Sequence, residues 1–164
     1  MLNAYELIGF MPSAMSADIL QWAYESDKAS YKAALATVAQ TRHVRPVFLE
    51  KQPRAQRHAE MLATLARPSL DTMAGTLLRA WLLGRHNAVV TDFLDALGIS
   101  HQKGVVETLP PTVEDEKLKQ AVEVLLAKHP RETVVIYLNA FNGLNGANWS
   151  SLGKMLETDP RLLL

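Results

Sequence analysis

The segment LLGRHNAVVTDFLDALG, residues 82–98, is echoed by LLAKHPRETVVIYLNAFNG, residues 125–143. In each, an apolar run ends on a basic residue and a histidine, and a second apolar stretch follows a short break. A shift of 43 residues lays Arg85-His86 on Lys128-His129, and the same shift upstream reaches Arg42-His43. Periods of this length belong to helix-pair repeats, in which a unit buries against its neighbour the apolar face it cannot bury alone. The chain is therefore expected to be all-α, a small single-domain array of imperfect helix pairs over residues 1–164, with about seven to eight helices in all. Candidate repeats cover residues 26–52, 69–98 and 112–142.

Local signals place most of the helices. Ser16 is a candidate cap for a helix through about Glu25, and Ser26 or Asp27 for one running to His43, on which Tyr31, Leu35 and Val38 share a face. Pro46 suits the first turn of a short segment, VFLEKQ, and Pro53 starts a helix that stacks His58, Met61, Leu62 and Leu65. Pro68-Ser69 opens the next, and Gly98 stops the one from Ala88 to Leu97. Thr112 with Asp115 reads as a capping box, and Lys128, His129 and Pro130 end that helix. Residues 99–111 are expected to form an irregular loop or a short strand. Asn148 is a candidate cap for a C-terminal helix over 149–157.

VVIYL, residues 134–138, is ambiguous by composition, since β-branched and aromatic residues favour strands. The upstream echo decides it. There Asp92 and Asp95 would interrupt a buried strand, while Val89, Val90, Phe93, Leu94 and Leu97 keep helical spacing. VVIYL is accordingly expected to be a helix buried on nearly all sides.

Composition narrows the function classes. With 17 basic and 17 acidic residues there is no global field to recruit nucleic acid or a membrane. No cysteine is present, which excludes disulfide, thiolate and Cys-based zinc chemistry. The opening MLNAYELIGFMPSAM has neither the basic start nor the continuous apolar run of a signal peptide, so a cytoplasmic protein without membrane contact is expected.

The basic-histidine dyads suggest helix endings, because cations near a helix C-terminus complement its unpaired carbonyls. In a stacked array His43, His86 and His129 would be spread along the axis, and no metal site is expected. His86 with Asp92 and Asp95 is a weak acid-base candidate, and GLNG, residues 143–146, lacks the following Lys-Ser/Thr of a phosphate loop. No cofactor and no catalytic residue are expected.

One asymmetry points to binding. Residues 42–67 hold Arg42, Arg45, Lys51, Arg54, Arg57 and Arg67 against Glu50 and Glu60, a net of +4, whereas from Asp92 onward the net is −3. The expected function is a non-enzymatic helical protein-interaction module, adaptor or assembly, with a protein partner or a second copy as occupant. Its candidate contact residues are Arg42, Arg45, Lys51, Arg54, Arg57 and Trp149, with Trp22 and Tyr24 nearby. The alternatives are a nucleic-acid or other polyanion binder through 42–67, and a small helical enzyme with a His/carboxylate site.

Overall fold

Helical periodicity prevails from end to end. The computed structural model describes residues 1–164; it is 73% helical and contains no sheet. Ten α-helices follow in order: α1 Ala4–Phe10, α2 Ser13–Ser26, α3 Lys28–Thr41, α4 Pro46–Glu50, α5 Arg54–Leu65, α6 Asp71–Gly84, α7 Asn87–Leu97, α8 Asp115–Lys128, α9 Arg131–Leu144 and α10 Ser150–Thr158. Short 3-10 turns occupy Pro68–Leu70 and Pro160–Leu162. The chain falls into two compact units, Asn3–Trp81 and Met1–Leu2 with Leu82–Leu164. The all-α class is as expected, but the helix number is ten rather than seven or eight. No expectation covered α1, whose signal is the Asn3-x-x-Glu6 spacing: the Asn3 N–H donates to Glu6 Oε2 at 2.8 Å.

Within Asn3–Trp81, α5 packs on α1, α2 and α3, and α4 on α3 and α5. Leu7, Ile19, Leu20, Leu35, Val38, Met61 and Leu65 are buried there. Asp27 caps α3 as expected, accepting from the Ser30 N–H at 3.2 Å. Ser16 does not cap α2. Pro12 is extended and immediately precedes α2, which begins at Ser13, and Ser16 lies in the first turns with its hydroxyl donating to the Ser13 carbonyl.

In the second unit α7 packs most extensively on α8, while α9 touches α7, α8, α10 and the C-terminal 3-10 turn. VVIYL lies within α9, and all five of its residues are buried. Phe93, Tyr137, Phe141 and Trp149 form a run of edge-on and tilted ring contacts with centroids 5.1 to 6.0 Å apart. Gly98 stops α7 at φ +69°, as its position predicts.

The segment 99–111 is a loop with one isolated bridge between Gln102 and Val105 and no strand. It is pinned to α7: Asn87 Nδ2 donates to the Leu83 and Lys103 carbonyls at 2.9 and 2.7 Å. Gly104, at φ +91°, lies so close that a Cβ there would come within 2.8 Å of Val90 Cγ1. Two caps expected here are corrected. Thr112 lies outside α8, which starts at Asp115 after Glu114, so that Asp115 and Glu116 stand in the first turn at the positive helix end. Asn148 sits at φ +52°, and Trp149 rather than Asn148 immediately precedes α10.

Candidate interaction site

Two prolines shape the basic segment. Pro46 starts α4 and Pro53 precedes α5, so α4 is held to five residues. So short a helix buries one side chain, Leu49, and leaves its neighbours outward. Phe48 is 60% exposed, and Val44 and Val47 are also exposed. His43 at φ +56° reverses the chain after α3, with the Val44 N–H returning to the Ala39 carbonyl at 2.9 Å. An apolar group thus stands in solvent beside Arg45 and Lys51, whose side chains are exposed and make no hydrogen bond or ion pair.

The six sequence candidates divide. Arg45, Lys51 and Arg54 are exposed and share the α4–α5 region. Arg42 is exposed but paired with Glu60 at 3.0 Å. Arg57 is only 8% exposed, and Trp149 only 2%. As contact residues these last two are corrected: Arg57 faces inward from α5, and Trp149 packs on Phe141 with its Nε1–H donating to the Pro110 carbonyl at 2.8 Å. Of the neighbouring aromatics, Trp22 and Tyr24 are half-buried.

Behind α4 lies a polar aromatic cluster that the sequence left dispersed. Tyr24 from α2, Tyr31 from α3 and His58 from α5 meet edge-on, with centroids 5.3 to 6.3 Å apart. Tyr31 Oη and His58 Nε2 are 2.9 Å apart. Arg54 stacks on Tyr24 at 4.0 Å from the ring centroid and donates to its hydroxyl at 3.1 Å. Arg57 lies 5.9 and 5.8 Å from the Tyr24 and Tyr31 rings, donates to the Glu50 carbonyl at 3.1 Å, and leaves its Nε unpartnered.

Neither guanidinium has a carboxylate partner. Their charge is expressed on the neighbours: burial first, then repulsion from Arg57 and Arg54, lowers His58 to about 4. Burial raises the Tyr31 phenol, against the opposing pull of Arg57. The cluster is a net positive field set beside a neutral His58 imidazole, with an apolar rim at Val44, Val47 and Phe48.

The carboxylates once considered with His86 have other partners. His129 Nε2 meets Asp92 Oδ2 at 2.7 Å, and His101 Nε2 meets Asp95 Oδ1 at 2.7 Å. His101 Nδ1 accepts the Gly104 N–H at 3.0 Å, which fixes the neutral ring's proton on Nε2, where it donates to Asp95. In both pairs the imidazole tethers a connecting segment to α7: His129 the end of α8, His101 the 99–111 loop. Neither imidazole is hydrogen-bonded to a serine or threonine hydroxyl.

Sequence reading placed Tyr31 and His58 on the apolar faces of their helices but did not bring them together. A tyrosine and a histidine on two buried stripes were the available signal. No helix is long and apolar enough to cross a membrane. Comparison with protein families, with curated proteins and with solved structures finds no match to this chain.

Proposed function

We propose that the protein is a non-enzymatic helical interaction module, acting in the cytoplasm, whose contact face is the α4 region, and that its partner is a protein segment carrying acidic and aliphatic or aromatic residues together. The observation that carries this reading is the exposed group Val44, Val47 and Phe48 beside the unpaired Arg45 and Lys51. Apolar side chains standing in solvent beside cations suit a partner that fills the patch and complements its charge. Arg54 and Arg57 add positive field from behind, and their contacts with Tyr24 and Glu50 hold them in place.

The order of helices along the chain favours the same reading, although α7 packs chiefly on α8. Helices α6 and α8 each have 14 residues, and a break of two residues separates each from α7 or α9. Stacked helix pairs commonly present extended surfaces to partners.

A polyanion is the second reading, favoured by the same cations and by Phe48, the one strongly exposed aromatic in the segment, which offers a face for a base to stack on. The two differ in what the patch needs. A protein partner depends on Val47 and Phe48 as well as on charge, whereas a phosphate backbone depends chiefly on charge and weakens steeply with salt.

The test is a pull-down from the native host with the wild-type chain, Val47→Ser with Phe48→Ser, and Arg45→Glu with Lys51→Glu as parallel baits. Proteins and nucleic acids are quantified in the same eluates. The proposal expects a protein lost from both variant eluates. Recovery of nucleic acid alone, or of the same proteins by all three baits, overturns it.

A further inference from the structure

Asn142 of α9 is only 8% exposed, yet its side chain makes no hydrogen bond within the protein. Its polar atoms open to solvent rather than lying sealed against apolar neighbours, which leaves them available to a ligand. This amide lines a cleft of about 380 Å³ between α9, α10 and the C-terminal 3-10 turn. Asn139, one turn earlier, lines the same cleft. Its Nδ2 is engaged with the Val135 carbonyl at 2.9 Å, and its Oδ1 accepts nothing. Glu157 adds a carboxylate to the lining, and no lysine or arginine side chain takes part in it.

The rest of the wall is aliphatic, with Leu156 and Leu162 buried at its base. Its mouth carries Met1, Leu163 and Leu164, three of the large apolar side chains that stand exposed on this chain. Gly153 keeps the space open. A Cβ there would approach nothing closer than Asn142 Nδ2, at 3.9 Å. The volume falls in the range of small-molecule sites, which pair apolar walls with a few convergent polar groups.

We propose that this cleft is a binding site for a small aliphatic primary amide. The free groups determine the head of the ligand. Asn142 offers both donor and acceptor, while Asn139 Oδ1 and Glu157 offer acceptors only. A ligand carboxylamide, with two N–H donors and one carbonyl, matches that set: its carbonyl takes the Asn142 N–H, and its N–H groups go to Asn139 Oδ1 and the Asn142 carbonyl or Glu157. A ligand carboxylate has no donor for Asn139 Oδ1 or the Asn142 carbonyl and meets Glu157, a repulsion that the α-ammonium of Met1 in the lining offsets only in part. The leucine-lined wall takes a branched aliphatic body.

The test uses 4-methylpentanamide and 4-methylpentanoate as probes, with the Asn142 side-chain amide followed by heteronuclear NMR. A fragment of this size binds at about millimolar affinity. The amide is expected to shift the Asn142 resonances, and the carboxylate to bind at least about tenfold more weakly. Gly153→Leu, which fills the cleft from a helical position, and Asn142→Leu should each abolish amide binding. Asn142→Leu should at the same time leave the free protein folded with a Tm close to wild type, because the amide makes no hydrogen bond within the protein. No shift at Asn142, equal binding of the carboxylate, or amide binding that survives both variants overturns the proposal.

Discussion

Replacing His58 with glutamine should flatten the acid limb of the protein's stability profile. Glutamine retains hydrogen-bonding capacity toward Tyr31 Oη, which lies 2.9 Å from His58 Nε2, but does not titrate. In the folded chain His58 titrates at about 4, against 6.5 without its surroundings. The unfolded state therefore binds the proton first, and stability falls as pH drops from 6.5 toward 4 and levels off below. The full difference corresponds to about 3 kcal/mol. Part of it is repulsion from Arg54, which is exposed and screened by salt, so about 2 kcal/mol is the working figure at moderate ionic strength. The assay is urea unfolding of wild type and His58→Gln at several pH values from 7 to 4. Carboxylates common to both cancel in the difference. Wild type should lose about 2 kcal/mol more than the variant over this interval. Parallel profiles would refute the claim that His58 is held neutral between two uncompensated guanidiniums.

Three further outcomes follow from packing and hydrogen bonding. Gly104→Ala should lower stability by about 1–3 kcal/mol in thermal melts, since it combines φ +91° with a Cβ 2.8 Å from Val90 Cγ1; a neutral result would mean that the loop does not lie against α7. Trp149→Phe should cost about 1–2 kcal/mol by removing the donor to the Pro110 carbonyl, and Trp149→Ala about 3–5 kcal/mol by opening a cavity beside Phe141; denaturant midpoints measure both. For the His129–Asp92 pair, a double-mutant cycle with His129→Ala and Asp92→Ala should give a coupling of about 1 kcal/mol near neutral pH, and a coupling near zero would reduce the contact to coincidence.

The helical class was legible because amphipathic spacing and proline and glycine positions acted together, and VVIYL was assigned by the analogy with residues 89–97 rather than by its own propensity. Cap assignments did less well. Helix α2 starts directly after Pro12, three residues ahead of Ser16, and α8 starts three residues beyond Thr112, where Asp115 and Glu116 complement the helix end. Asn3 with Glu6 carried a capping signal for α1 that went unread.

For the site, charge along residues 42–67 was visible, but its division was not. Only the fold turns Arg57 inward to Tyr24 and Tyr31 while leaving Arg45 and Lys51 free. Phe48 is the one aromatic in the segment, and its exposure follows from two prolines seven residues apart, which leave α4 too short to bury more than Leu49. The two asparagines of α9 sat in an apolar run without a partner that sequence could name. Their significance depends on α10 and the C-terminal turn leaving a cleft in front of them.

The central claim is that the α4 patch receives an acidic, apolar partner, and the most direct measurement is an NMR titration of the 15N-labelled chain with a short peptide alternating glutamate with leucine and phenylalanine. Polyglutamate and single-stranded RNA serve as parallel ligands. The account predicts shifts confined to residues 44–54, weaker with added salt, lost in Phe48→Ser and in Arg45→Glu with Lys51→Glu, and larger than those from either control. Shifts elsewhere, none at all, or an equal response to polyglutamate would contradict it.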